Sequence, residues 1–189
     1  MSKTIMMNNV RLSYEHIFQP SAFDDSQDAK YSATLIIRKD HPDLPALKRA
    51  FMEAGAEKFA SLFGGNGWPK GVTCALKDAD KDTNSAGEIL AEKNPDYKNS
   101  YVLMATSSRR PLVVGRRKEA LTEQDGVIYS GCYINALLGI GGYEFGKLKK
   151  GVKAYLNGVQ FVADGERFGS DAMSAFSALD GEDDGDFMV

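Results

Sequence analysis

The sequence predicts a mainly β protein: a five-stranded antiparallel barrel with elaborated loops and one or two helices, one of which caps the barrel. Three observations support this prediction. Short segments of alternating apolar and polar residues recur, turn-forming residues separate them, and one long segment has helical spacing. The 189 residues are 43% hydrophobic, which suffices for one domain with a sizeable core and some appended segments.

The N-terminal third contains two predicted strands and the main helix. Residues 7–15 alternate in polarity, and residues 30–38 are rich in β-branched and aromatic side chains. Asp43 and Pro45 are typical of a helix start, and the helix is predicted to continue to about Phe63. The residues expected on its buried face are Leu44, Leu47, Phe51, Ala54 and Leu62.

The loop of residues 64–71 (GGNGWPKG) holds the single tryptophan of the chain, Trp68. Two interpretations remain open for this residue. An exposed Trp68 beside Lys70 would stack on a nucleic-acid base, whereas a Trp68 that follows a turn would be anchored in the core.

Residues 77–99 are polar, and their spacing of Asp78, Asp80 and Asp82 resembles the start of a calcium-binding loop. The match fails further on. Thr83 stands where the sharp turn requires glycine, and Ile89 stands where a bidentate glutamate is required. The segment is therefore predicted to be a solvated surface loop.

Two further short strands, 100–105 and 111–115, adjoin the densest positive cluster of the chain. Five basic residues fall within ten positions that contain no acid. Such a run is usually a solvated turn, but its position beside a strand makes it a candidate contact for phosphate groups. The cluster consists of Arg109, Arg110, Arg116, Arg117 and Lys118.

The stretch 129–162 predicts two strands joined by a loop rich in glycine and lysine. Cys132, Ile134, Ala136 and Leu138 form one apolar face, and Val152, Ala154 and Leu156 form the other. The opposite faces would present Tyr133, Lys153 and Tyr155, and the loop would add Tyr143, Phe145, Lys147, Lys149 and Lys150. Aromatic rings interleaved with lysines are typical of a surface that stacks bases. The alternative is an ordinary hairpin with amphipathic tyrosines.

The charge of the chain is unevenly distributed. The net charge is −3, but the last nineteen residues carry six acids and no Lys or Arg, so the rest of the chain has a net charge of +3. A short helix-like piece, DAMSAFSAL, precedes an acidic end that is too polar to pack. The residues singled out in this tail are Asp180, Glu182, Asp183, Asp184, Asp186 and Phe187.

Catalytic and cofactor motifs are weak in this sequence, and no cofactor or metal is expected. Residues 141–147 match the pattern G-x-x-x-x-G-K, but Leu148 stands where a phosphate-binding loop needs Ser or Thr. The two histidines have no metal-ligand spacing, and the two cysteines favour a reducing compartment such as the cytoplasm. No signal peptide or membrane-spanning run is expected. A nuclease site built from scattered carboxylates stays open.

Five segments resemble a family of phage and prophage single-stranded DNA-binding proteins. They are VRLSY at 10–14, KYSATLII at 30–37, YSGCYINA at 129–136, GVKAYLNGVQ at 151–160 and ADGERFG at 163–169. The resemblance implies an OB-like fold, sequence-independent binding of single-stranded DNA without catalysis, and a role in phage replication or recombination. It also implies an acidic C-terminal tail that modulates binding and recruits partner proteins.

These observations predict an OB-fold domain over residues 1–165 and a flexible acidic tail over 166–189. Two other classes of function remain open: a phage nuclease or recombination enzyme that uses carboxylates and magnesium, and an adaptor whose tail makes the contacts. Cleavage that depends on magnesium would indicate the first, and failure to bind single strands would indicate the second.

Overall fold

The computed structural model describes residues 3–22, 28–65, 67–146 and 149–168, except for the side chain of Tyr14. The strands within these ranges are β1 (Lys3–Ser21), β2 (Lys30–Arg38), β3 (Thr73–Cys74), β4 (Leu76–Asp78), β5 (Ser100–Ser107), β6 (Leu112–Val114), β7 (Tyr133–Phe145) and β8 (Lys149–Ala163). The helices are α1 (Leu44–Lys58) and α2 (Leu90–Lys93), and short 3-10 turns cover Pro95–Tyr97 and Glu123–Asp125. No helix in these ranges is long and apolar enough to cross a membrane.

Five strands close into a ring in the order β8-β7-β1-β2-β5, and β5 pairs with β8 to complete it. This arrangement confirms the predicted barrel with an OB-like fold. Four of the joints are antiparallel, and the closing joint is parallel, with Ala105 beside Ala154 and Thr106 beside Tyr155. One parallel joint is unavoidable, because neighbours cannot all alternate in direction around a ring with an odd number of strands.

The barrel interior follows the predicted alternation. Leu12, Leu35, Leu103, Ile134 and Leu156 come from the five ring strands, and each is at most 1% exposed. Burying a side chain of this size stabilises a fold by roughly 1.5–3 kcal/mol. The residues expected to face inward on the last two strands are all buried, so the predicted phase of these strands is correct.

Helix α1 caps one end of the barrel, and it buries Leu44, Leu47, Phe51 and Ala54 as expected. It ends at Lys58, five residues before the predicted end, so that part of the prediction is wrong. The chain turns at Phe59 because the Phe63 ring folds back over Gly55, into the space that a Cβ would occupy. Leu62 consequently lies outside the helix and is 39% exposed.

The hairpin formed by β7 and β8 is longer than predicted, and its connecting loop is correspondingly shorter. Tyr143, Phe145, Lys149 and Lys150 lie on the strands and not in a loop, which corrects the prediction. The glycines do not interrupt the ladder. Gly141 and Gly142 pair with Lys153 and Val152 in the first part of β8. Helix α1 packs so closely on Gly142 that a Cβ there would clash with the side chain of Lys58. The G-x-x-x-x-G-K pattern therefore starts within a strand, not in a phosphate-binding loop.

The segment 76–99 is more ordered than the loop that was predicted. Ala79, Ala91 and Tyr97 pack on Ile36 and form a small apolar cluster on the outer face of β2. Two of the aspartates whose spacing resembles that of a calcium-binding loop form ion pairs with a lysine. The Lys39 ammonium group lies 2.7 Å from Asp78 and 2.6 Å from Asp80, and it joins the segment to the end of β2.

The chain after β8 continues past the start of β7 as a strap, Asp164–Phe168. The Tyr129 hydroxyl donates to the Asp164 carboxylate (2.9 Å) and accepts from the Gly165 N–H (3.0 Å). The Phe168 N–H donates to the Ser130 carbonyl (3.2 Å). Contacts with the barrel thus continue three residues beyond the expected domain boundary. The tail residues that were singled out, 180–187, lie outside the described residues.

Candidate nucleic-acid interface

A continuous groove crosses the outer face of the barrel at the parallel joint between β5 and β8. It consists of two connected cavities of about 700 and 610 Å³, which share Thr106 and Lys153. Because β5 lies between β2 and β8, the walls of the groove come from strands on either side of it. The side chains that line the groove include Lys30, Met104, Arg109, Tyr143, Lys153 and Tyr155.

Two tyrosines and a lysine form the centre of this groove. The Lys153 Nζ atom lies 4.9 Å from the ring centroid of Tyr155 and 5.4 Å from that of Tyr143. Both rings point outward and are half-buried. Tyr143 pairs with Gly151, where a Cβ would lie only 2.9 Å from its hydroxyl oxygen, so glycine makes room for the tilted ring. The arrangement offers aromatic surface and positive charge side by side.

The charged side chains that line the larger cavity of the groove are mainly cations. Four cations, Lys30, Lys58, Arg109 and Lys153, line it together with one carboxylate, Glu57. Within the described ranges none of the four forms an ion pair. Burial, and secondly the positive charge of Lys30, lower the pKa of Lys153. An anionic ligand would relieve this repulsion.

The floor of the groove combines apolar and polar side chains. Met104 is 58% exposed and lies opposite Thr34 on the neighbouring strand, and Thr106 follows two residues later. Residues of this kind let a flat base lie against the sheet without a fixed pattern of hydrogen bonds. The sequence carried a signal for them, since Met104 and Thr106 alternate with the buried Leu103 and Ala105.

The structure divides the positive cluster predicted between residues 109 and 118. Arg109 lines the groove, and the exposed Arg110 follows it. Strand β6 then runs along β8 as far as Gln160. The exposed residues Arg116, Arg117 and Lys118 therefore lie beyond the far end of β6, roughly 20 Å from Tyr155 at about 3.3 Å per residue.

Some of the predicted aromatic residues also lie away from the groove. Tyr133 lies ten positions from Tyr143 on β7, roughly 30 Å along the strand, and it borders a different cavity that contains Arg11 and Arg38. Phe145 is near the tip of the hairpin and is 78% exposed. Its partner across the ladder is Lys149.

The remaining predicted residues are also accounted for. Lys150 pairs with Glu144 near the tip of the hairpin, and Lys147 lies outside the described residues. Trp68 packs on the core, its Nε1–H donates to the Val72 carbonyl (2.6 Å), and its ring meets Phe63 edge-on at 5.3 Å. Of the two interpretations of Trp68, this geometry favours the anchored one.

Two cations of the larger cavity have no counterpart among the predicted contacts. Lys30 stands at the first position of β2, and Lys58 stands at the last position of α1. Each lies at the end of a strand or helix, whereas the polarity pattern that predicted that strand or helix lies in its interior. No local spacing connects either residue with Lys153, because the barrel has to close before the three come together.

Comparison with known proteins identifies close relatives of this chain. The family model described as Enterobacter phage Enc34, ssDNA-binding protein, matches residues 3–188. Protein p50 of Acyrthosiphon pisum secondary endosymbiont phage 1 is 32% identical over 186 residues, which cover 93% of this chain and 92% of p50.

Solved structures agree with the family match. The single-stranded DNA-binding protein from bacteriophage Enc34 in complex with ssDNA superimposes with a TM-score of 0.72 at 26% identity, over 88% of this chain and 89% of that one. The single-stranded DNA-binding protein gp2.5 of bacteriophage T7 has a TM-score of 0.62 over 96% of this chain and 98% of its own. At 13% identity, that second likeness shows the fold alone.

Proposed function

Because the chain belongs to the family of the Enterobacter phage Enc34 single-stranded DNA-binding protein, we propose that it binds single-stranded DNA in the groove between β5 and β8. The observation that carries this proposal is the placement of Lys153 between the rings of Tyr143 and Tyr155, on a groove whose cations are unpaired within the described residues. The rings would stack bases, and the cations would neutralise phosphates.

The same geometry favours single strands of any sequence. Every base has a π-face, so stacking on a tyrosine does not depend on base identity. In a duplex the faces of the bases are covered by their neighbours, and a tyrosine on a sheet surface cannot reach them. The groove would therefore discriminate between single and double strands without reading base edges.

We propose binding without catalysis. A magnesium-dependent nuclease requires several carboxylates at one place, whereas the groove presents mainly cations and aromatic rings. The parts of the chain that the structure describes hold no group of three or more His, Cys, Asp or Glu residues suited to a metal ion. The adaptor hypothesis fits the groove less well, since it gives no purpose to the unpaired cations.

The biological setting proposed for this activity is the protection of single-stranded DNA during phage replication or recombination, in the cytoplasm of the host cell. The acidic tail would modulate binding by competing for the groove, because it is the one strongly anionic segment on a chain whose remainder is positively charged. Phe187 near its end would offer an aromatic anchor to replication or recombination proteins.

A direct binding experiment tests the proposal. Fluorescence anisotropy of the full-length protein with labelled oligothymidine and with a labelled duplex, each with and without magnesium, separates the three hypotheses. We expect tight binding to the single strand, weaker binding to the duplex, and intact DNA in all samples. Cleavage products that require magnesium would establish the nuclease, and equal affinity for both forms would contradict stacking in the groove.

A further inference from the structure

We infer that Lys30 and Lys153, which lie on opposite sides of β5, hold the same phosphate group of the bound strand. The inference rests on the proposed function, since it names the contact that fixes the strand in that groove. Lys153 belongs to the predicted hairpin, but Lys30 comes from the other end of the chain and becomes a candidate only in the folded barrel.

The barrel topology places the two residues on the same surface. Strands β2 and β8 both pair with β5, one on each side, with Ser32 and Tyr155 as the two neighbours of Thr106. Lys30 and Lys153 each lie two positions from one of these neighbours, so both point to the outer face. Across the sheet, two strand spacings separate β2 from β8, roughly 10 Å. Because β2 is antiparallel to β5 and β8 is parallel to it, the two lysines also lie on opposite sides of Thr106 along the strands, about four residues or roughly 13 Å apart. Both line the same cavity, so side chains that extend toward each other over β5 can meet at one anion.

The surroundings of the pair favour a phosphate as the occupant. Both ammonium groups border the same cavity, and neither forms an ion pair within the described ranges. The one carboxylate that borders this cavity, Glu57, comes from α1. Burial first, and then the positive charge of Lys30, lower the pKa of Lys153, so the two ammonium groups are close enough to repel each other. A phosphate between them would replace this repulsion with two attractions.

The position of the rings explains why the phosphate would lie here. Lys153 is the one groove cation that lies over both Tyr143 and Tyr155. A nucleotide stacked on either ring brings its own phosphate within reach of that ammonium group. Lys30 would then hold the same phosphate from the other side, and the pair would set the register of the strand relative to the rings.

A double-mutant cycle tests whether one phosphate is shared. The variants are Lys30→Ala, Lys153→Ala and the double variant, measured with oligothymidine over a range of salt concentrations. We expect each single change to weaken binding about tenfold, as loss of a hydrogen bond to a charged group does, and the double change to cost less than the product of the two. The salt slope of the double variant should fall by about 0.7, the value for one phosphate on a single strand.

Arg109 provides the matched control, because it lines the same groove but lies after the end of β5. Arg109→Ala combined with Lys153→Ala should give multiplied effects and a slope lower by about 1.4, as two separate phosphates require. Lys153→Met keeps the aliphatic stem over the tyrosine rings, so it replaces Lys153→Ala if that variant loses its thermal transition.

Three results would overturn the inference. Multiplied effects with a slope change of about 1.4 in the Lys30 and Lys153 pair would assign two phosphates. Unchanged affinity in Lys30→Ala would remove Lys30 from the interface. Wild-type protein that fails to bind oligothymidine would refute the proposed function itself, and with it the shared phosphate, before any variant is compared.

Discussion

Two sides of the barrel use the same kinds of cation in opposite ways. On the side of the strap, the cations hold parts of the chain together. Arg11 donates to the carbonyls of Gly131 (3.2 Å) and Glu166 (2.8 Å), and its guanidinium lies 4.2 Å from the centroid of the Phe168 ring. The Arg167 guanidinium lies 3.9 Å from the centroid of the Tyr129 ring.

On the side of the groove, Lys153 also lies over aromatic rings, but it has no anionic partner in the described parts of the chain. A cation that holds two segments of the chain contributes to the free energy of folding. A cation that has no anionic partner and is partly desolvated, as Lys153 is, contributes instead to the free energy of ligand binding. The difference therefore predicts which substitutions change stability and which change affinity.

The largest effect is expected from the rings of the groove. Tyr155→Ala and Tyr143→Ala should each weaken oligothymidine binding by about 1–3 kcal/mol, since each removes a stacking surface, and the fold should persist because both rings face outward. Tyr133→Ala is the control on the same strand as Tyr143, and it should bind normally. Anisotropy titrations and thermal unfolding measure the two properties. Loss of affinity in Tyr133→Ala alone would place the interface at the other end of the barrel.

A pair of arginines tests the comparison directly. Arg11→Ala should lower the free energy of unfolding by about 1–3 kcal/mol, because charged hydrogen bonds and a ring contact hold the strap, while affinity for single strands stays the same. Arg109→Ala should leave thermal unfolding unchanged and lower the salt slope by about 0.7. The opposite outcome for either arginine, read by denaturant unfolding and salt titration, would contradict the division between the two sides.

The sequence was sufficient for the barrel and for part of the groove. Alternation with a period of two determined which residues of β7 and β8 face inward, and hence that Lys153 and Tyr155 face outward. It also predicted most of α1. These are local properties, and each depends on residues only a few positions apart. The end of α1 was missed because it depends on Phe63 packing back onto Gly55.

The rest of the groove depends on contacts between distant segments. The parallel joint brings Thr106 beside Tyr155, forty-nine positions later in the chain, and no local pattern reports such a pairing. For the same reason, the basic residues 109–118 were expected to act together although β6 separates them. Lys30 was missed because a lysine at the start of a strand has no distinguishing pattern until the closed barrel places it at the same cavity as Lys153.

A smaller effect, of several-fold, is expected from the acidic tail. Ending the chain at Ser170 keeps the strap and changes the net charge from −3 to +3. If the tail binds to the groove cations, the shortened protein should bind oligothymidine more tightly at low salt. The gain should shrink as salt screens the attraction of both the tail and the DNA to these cations.

A second variant distinguishes the effect of the charge of the tail on binding from the effect of its bulk. Replacing the acids between Asp180 and Asp186 with their amides removes charge and leaves the DAMSAFSAL segment in place. A gain that persists at high salt only in the shortened protein would indicate steric blocking. If neither variant binds more tightly, the tail does not compete for the groove, and pull-downs through Phe187 become the next experiment.

The smallest effect is expected where Lys39 joins the 76–99 segment to the barrel. The hydrogen bond from Lys39, followed by that from the Asn99 N–H, lowers the pKa of Asp80. A carboxylate with a lowered pKa stabilises the fold above its unfolded value, about 3.9, and loses that contribution as the pH falls through the folded value. Lys39→Met should therefore lower the melting temperature slightly at neutral pH, and the difference from wild type should vanish once the pH has fallen through the lowered pKa of Asp80. Lys98→Met, in the same segment, is the control and should melt like wild type at both pH values. A difference that persists in acid would show that the effect of Lys39 does not depend on the ionised carboxylates.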